Sequence, residues 1–357
     1  EPSSDLAIAE SFFPKTALDD LLGIAPEQVN DDRLYRALDA IVETRESLFS
    51  HLRCAYGELF GSQFDVLLYD ATSTYFEGEL ADSDLARRGY SRDSRPDCLQ
   101  VMIGLIVTPD GLPIAYEVFE GNRGDSTTVE EMIDVIESKY GRARRTWVMD
   151  RGMVSEENLS ELRRRDANYI VGTPRQALRK VEQELLARGW EEVEPGVELK
   201  LLDVPAGEDE SGLDDPGGRE LFVLCRSRAR VEKDRAIVGR AETRLAAGLE
   251  KLKTQIDKGR MRSRSKAERR IGKLLAAHWR AGRLFDVEVT EKRDPKNPKK
   301  KLLAMTITRH EAARAWLELQ NGCYLLRTNL VGQNAHELWR AYIGLTQAES
   351  AFRQMKS

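Results

Sequence analysis

Apolar positions recur along this chain with two periods. After Asn30-Asp31-Asp32, a side-chain cap for a helix start, Leu34, Leu38, Ile41, Leu48, Leu52, Ala55 and Leu59 follow at roughly helical spacing. That predicts one long amphipathic helix or two shorter ones. Ahead of it, Pro2, Pro14 and Pro26 interrupt short apolar patches. Phe64 to Thr72 then reads as a strand, with Phe64, Val66 and Leu68 on one side and Asp70 in register with them. Leu99 to Thr108 and Leu112 to Phe119 flank Pro109-Asp110-Gly111, where proline fixes φ and glycine accepts positive φ, so the three runs predict an antiparallel meander. Thr127 to Tyr140 is a helix with Val129, Met132, Ile133 and Ile136 inward. Thr146 to Asp150 is a strand, Ser155 to Arg165 a helix opened by Ser155, and Tyr169 to Val171 a short strand.

The pattern changes after residue 175. Leu178 to Trp190 reads as a helix, and Val197 to Val204 and Glu220 to Cys225 as strands around an acidic loop, Gly207 to Gly218. One long charged helix is expected from Lys233 to Arg283. Phe285 to Val289 and Lys301 to Thr308 alternate as a hairpin, and Tyr324 to Asn329 returns to strand character. In the final sixteen residues Tyr342, Leu345, Glu349, Phe352 and Lys356 are spaced three, four, three and four apart. On a single helix they share a face about 80° wide.

Length and charge refine this. A chain of 357 residues predicts two or three units. A net charge of −5 argues against a nucleic-acid partner until its distribution is read: residues 226–301 hold 25 Lys and Arg against 10 Asp and Glu. Segregation of that kind fits one basic subdomain gripping phosphate. The longest apolar block, Val101 to Val107, is far short of a membrane span, and no signal-peptide pattern occurs. Four scattered cysteines without a CxxC spacing read as reduced cytoplasmic thiols, and the four histidines form no zinc pattern. No GxxxxGK(S/T) or GxGxxG pattern occurs, so nucleotide-driven chemistry has no support in the sequence. Thr72, where a DxDx(T/V) phosphatase needs its second aspartate, excludes that class. The chain starts at Glu1 without methionine and stops one residue past Lys356, which reads as a fragment.

Asp70, Asp150 and Glu349 are the candidate chemistry. A carboxylate in an apolar strand row is costly to bury unless it meets a cation or strong donors. Taken singly, each aspartate reads equally as a turn cap at a strand end, and Glu349 as a solvated helix glutamate. Taken together, three carboxylates suit two hard divalent cations about 3.5–4 Å apart that activate a nucleophile on one side of a phosphodiester and stabilise the leaving oxygen on the other.

Three segments, Tyr69-Asp70-Ala71-Thr72-Ser73-Thr74-Tyr75-Phe76-Glu77, Val148-Met149-Asp150-Arg151-Gly152-Met153 and Tyr342-(2)-Leu345-(3)-Glu349-(6)-Lys356, resemble in order the motifs of DDE transposases of the insertion-sequence-four superfamily. Leu345 stands where that signature usually has arginine, a departure from its pattern. The resemblance implies an α/β chain with a ribonuclease-H-like mixed sheet and flanking helices, interrupted by an α+β insertion. Its expected divisions are a helical N-terminal region (1–61), the first part of the catalytic core (62–175), a basic insertion (176–320), and the final strand and glutamate helix (321–357). It also implies a DNA transposase in which Asp70, Asp150 and Glu349 ligate two Mg²⁺ or Mn²⁺ ions. Tyr342 and Lys356 would contact DNA, with Arg353 and Arg151 as further candidates. Double-stranded DNA, as terminal inverted repeats and target, a homodimer in the synaptic complex, and a cytoplasmic, nucleoid-associated prokaryotic setting complete the expectation. A nuclease without strand transfer and a non-catalytic DNA-binding remnant are the alternatives.

Overall fold

The computed structural model describes residues 3–60, 65–77, 83–142, 144–202, 220–294 and 297–356, with side chains at all of these except 57–60, 294, 297–301, 355 and 356. It divides into two compact units, 1–173 with 202–223 and 326–357, and 174–201 with 224–325. The elements run α1 (Asp5–Ala7), α2 (Leu18–Leu22), α3 (Asp31–Glu43), α4 (Arg45–Phe60), β1 (Val66–Phe76), β2 (Leu99–Val107), β3 (Pro113–Glu120), α5 (Val129–Tyr140), β4 (Thr146–Met149), α6 (Glu156–Arg164) and β5 (Asn168–Gly172). Then come α7 (Glu182–Leu186), β6 (Glu191–Glu194), β7 (Val197–Leu202), β8 (Leu221–Ser227), α8 (Arg228–Asp257), α9 (Arg264–Ala277), α10 (Trp279–Gly282), β9 (Phe285–Asp294), β10 (Asn297–Arg309) and α11 (Glu311–Leu319). Finally β11 (Cys323–Thr328), α12 (Ala335–Ile343) and α13 (Leu345–Lys356) close the chain.

The periodic stretch after Asn30 is two helices. The Asn30 side chain accepts from the Arg33 N–H at 2.8 Å, and α3 ends at Thr44, whose hydroxyl donates back to the Ile41 carbonyl at 3.0 Å. In the first unit the strand order is β3-β2-β1-β4-β5, with the end of β11 outside β5. β1, β2 and β3 form the antiparallel meander, whereas β1, β4 and β5 are parallel. Three antiparallel strands followed by two helix-linked parallel ones, with helices on the sheet, make the mixed α/β architecture of the ribonuclease-H-like fold.

Alternation along β1 assigns the two faces. Leu67, Tyr69 and Ala71 enter one core with Val129, Met132, Ile133 and Ile136 of α5 and Leu159 and Leu162 of α6. The intervening Leu68 meets the junction of α12 and α13, where a Cβ on Gly344 would lie 3.3 Å from Leu68 Cδ1. One expectation is corrected here. β1 ends neither at Asp70 nor at Thr72 but continues to Phe76, because β2 pairs with it as far as Phe76↔Leu99. Only its β4 neighbour stops, at Tyr69↔Met149. Phe64 and the acidic loop Gly207 to Gly218 lie outside the described residues.

Two further expectations fail in the second unit. The long helix from Lys233 to Arg283 is broken: α8 ends at Asp257, Gly259 takes a φ of +65°, and Ser263 caps α9 by accepting from the Lys266 N–H. Burial is the physical reason. Folding back lets Leu245, Leu249, Leu252 and Ile256 share a core with Ala267, Ile271, Phe285, Val289 and Met305, the last three from the β9–β10 hairpin. At the helix crossing a Cβ on Gly248 would come within 2.9 Å of Leu274 Cδ2. The expected helix from Leu178 to Trp190 is likewise a 3₁₀ segment, Arg175–Val181, and then the short α7. Past Gly189, at φ +104°, the chain is already extended into β6. Among the described residues no helix is long and apolar enough to cross a membrane.

Candidate active site

The strand register builds the first half of the site. In the parallel β1–β4 pair Tyr69 stands opposite Met149, so Asp70 and Asp150 are the next residues after that pair. Tyr69 and Met149 point together into the α5–α6 core. Their successors therefore share the opposite face. Asp150 follows the last residue of β4 and opens a single 3₁₀ turn, Arg151–Met153. Because β4 stops there, no strand among the described residues pairs with β1 beyond Tyr69 on that side, which leaves a carboxylate-lined notch at the sheet.

α13 builds the other half. It packs on β1 and β2, burying Leu345, Ala348 and Phe352 at 7, 0 and 5% exposure. Glu349, one position past Ala348, stays exposed. The expected single helix from Tyr342 to Ser357 is divided at Gly344, which separates α12 from α13. A Cβ at Gly344 would fall 2.9 Å from the Ala341 carbonyl oxygen, so the close fit over Leu68 requires glycine. Gly344 keeps right-handed helical angles, and Tyr342 and Glu349 still reach the same end of the sheet. The Tyr342 hydroxyl donates to Asp150 Oδ1 at 3.2 Å. It also lies over Gly172, where a Cβ would approach to 2.6 Å.

Asp70, Asp150 and Glu349 line one cavity of about 520 Å³. Arg151 lines it too, with its side chain exposed, whereas Arg353 is exposed on α13 outside the lining. The side chain of Lys356 lies outside the described residues. Leu345 is explained by its place: it is part of the apolar contact with β1, where a guanidinium would be buried.

Three cavity residues escaped the reading of the sequence, Tyr90, Arg92 and Asp125, and the last two carry charge. Arg92, in the β1–β2 connection, donates to the Ala71 carbonyl and pairs with the Asp125 carboxylate. Asp125 comes from the loop after β3. The two loops are fastened to each other by the buried Gln100, whose Nε2 donates to the Gly121 carbonyl at 2.7 Å and the Tyr90 carbonyl at 3.1 Å. The available signal was Gly89 and Gly121: a Cβ at either would strike backbone, at 2.3 Å from the Gly121 oxygen and 1.9 Å from the Gln100 oxygen. Glycines demanded by backbone contact mark loops held in one shape. Single-sequence periodicity gives no hint of it.

Burial pushes the Asp70 carboxyl up to about 6. The Ala71 N–H, at 2.8 Å, and Arg92 pull it down, while Asp150 and Glu349 raise it further. A carboxyl in that condition is one whose charge lacks a sufficient partner. Among the described residues no three Asp, Glu, His or Cys side chains converge as a ready cage for a metal ion. The donor set is nevertheless all oxygen in a roomy cavity. Mg²⁺ characteristically keeps several waters and takes one or two carboxylates plus substrate phosphate, so the residues present fit such an ion.

Residues 61–357 match the family model described as the transposase DDE domain. No curated protein sequence matches the chain. Six solved chains match, one of them in the Mos1 transposase paired-end complex with left transposon end, at 13% identity and a TM-score of 0.22. That match covers 48% of this chain and 59% of the other, so it spans less than two thirds of the Mos1 chain's length.

Proposed function

This chain belongs to the transposase DDE domain family, and from that premise we propose that it is a DNA transposase whose catalytic carboxylates are Asp70, Asp150 and Glu349. The observation that carries the reading is their arrival at one cavity from three separate places, the middle of β1, the end of β4 and the exposed side of α13. Two divalent cations, Mg²⁺ or Mn²⁺, when bound there would polarise the phosphodiester and lower the pKa of an attacking water or 3′-hydroxyl. The chain's own contribution is placement. Asp70 and Asp150 are fixed on adjacent strands by register, Tyr342 holds Asp150 through its hydroxyl, and Glu349 faces them from the helix.

Substrate and partners follow from charge and family. The substrate is double-stranded DNA, the terminal inverted repeats and then the target, with hydrolysis at the ends followed by joining of the freed 3′-hydroxyls. Lys356, Arg353 and Arg151 are proposed to hold backbone phosphates beside the carboxylates, and a homodimer to pair two ends. Superhelicity-sensitive nicking tests the reading. Supercoiled plasmid incubated with the chain and Mn²⁺ or Mg²⁺ is expected to be nicked, with loss of at least 100-fold in Asp150→Ala and in Glu349→Ala and complete suppression by chelator. Metal-dependent nicking that persists in both variants would move the chemistry elsewhere. Joined products from labelled 3′-hydroxyl ends separate transposase from simple nuclease.

A further inference from the structure

Substrate phosphate entering the cavity meets four carboxylates, Asp70, Asp125, Asp150 and Glu349. Negative charge at that density repels a phosphodiester unless cations stand beside it. The helix supplies no guanidinium at Leu345, which is buried against β1. Arg92 is differently placed. Its backbone N–H reaches Ser73 Oγ at 3.4 Å, its guanidinium bonds the Ala71 carbonyl and the Asp125 carboxylate, and Gln100 locks the two loops that carry the pair. The side chain remains 34% exposed and lines the cavity, bonded to the carbonyl of the residue that follows Asp70 on β1.

We propose that Arg92, oriented by Asp125 and the Ala71 carbonyl, is the residue that grips a non-bridging phosphate oxygen of the DNA strand at this carboxylate cavity. The assignment rests on the functional reading above and deepens it. A guanidinium has five N–H donors in a planar fork. Two are engaged by Ala71 and Asp125, which fix its plane, and three remain for phosphate. Charge-assisted donors held this rigidly lose little freedom when the strand arrives. Asp125 acts through Arg92 and is a positioning residue: its carboxylate holds Nη2 while the Ala71 carbonyl holds Nη1, which fixes the guanidinium at the cavity wall. On this account a loop locked to β2 supplies a cavity-lining arginine, whereas Arg353 of α13 lies outside the lining.

The test uses two readouts on the full chain. Binding of a 30-base-pair duplex is measured with chelator present, against salt, for wild type, Arg92→Gln, Arg92→Lys and Asp125→Asn, and nicking of supercoiled plasmid is measured in Mn²⁺. Arg92→Gln keeps a donor for the Ala71 carbonyl while removing the charge, and circular dichroism confirms that each variant folds. Expected are a salt slope about 0.9 smaller in Arg92→Gln, nicking efficiency kcat/KM reduced about 100-fold with KM raised as well as kcat lowered, and partial recovery in Arg92→Lys. Asp125→Asn should keep the wild-type salt slope and slow nicking by about tenfold. Wild-type slope together with wild-type nicking in Arg92→Gln would overturn the assignment. If wild type itself does not nick, the proposed function fails first, and the salt slope, which needs no metal or cleavage, still decides for or against Arg92.

Discussion

Asp70 is the residue on which the site's energetics turn. Its folded pKa, about 6, lies above the ordinary 3.8, chiefly through burial. Between those two values the folded chain holds a proton that the unfolded chain has released, so Asp70 costs stability as pH rises and the cost is complete above about 6. Asp70→Asn should therefore raise stability in metal-free buffer by about 2–3 kcal/mol at pH 7.5. The gain should vanish near pH 3.5, and urea melts at the two pH values check both halves. The same variant should be inactive. Gly172 makes a second residue-level case. A Cβ there comes to 2.6 Å from the Tyr342 hydroxyl, so Gly172→Ala must push the phenol off Asp150. Nicking should fall about tenfold while the melting temperature moves by only a few degrees. Unchanged nicking would mean that the Tyr342 hydrogen bond has no part in placing Asp150.

At the scale of elements, α13 is specified by two faces with different duties. Its apolar side, Leu345, Ala348 and Phe352, is buried on β1 and β2, and its exposed side presents Glu349. Introducing arginine by Leu345→Arg would put a guanidinium at a position 7% exposed in the apolar contact of α13 with the sheet. The expected result is a loss of about 2–4 kcal/mol with no gain in nicking, measured by denaturant melts and plasmid assay. A stable and more active variant would show that this helix can rotate Leu345 toward the cavity. The spacing of Tyr342, Leu345, Glu349 and Phe352 was legible because the helical period fixes angular position. The break at Gly344 was not, since it answers to Leu68 on a strand more than 270 residues earlier. The same distinction holds for α8 and α9. Their charged surface reads as one helix, and only the apolar core shared with the β9–β10 hairpin requires the turn at Gly259.

Over the whole molecule, charge is sorted by region: 25 basic against 10 acidic residues in 226–301 leave 30 against 50 elsewhere. In the second unit Arg240, Arg244 and Arg280 line a cleft of about 240 Å³ beside the exposed Trp279. No ion pair engages these three among the described residues. Replacing all three by serine should lower affinity for generic duplex DNA at least tenfold at 50 mM salt and reduce the salt slope by about 2–3, with melting unchanged. Equal binding would move the DNA-gripping surface to another part of the chain. The order of strands and helices from β1 to β5, the meander around Pro109-Asp110-Gly111, and three carboxylates in three motifs were written in the sequence, because periodicity, turn chemistry and spacing are local. Meeting of those carboxylates at one cavity was decided by the tertiary structure: parallel register sets Asp70 beside Asp150, and helix packing brings Glu349 over them. Arg92 and Asp125 belong entirely to that second category. They lie in loops without period, and what brings them to the cavity is a pair of backbone contacts at Gly89 and Gly121 between segments distant in the chain.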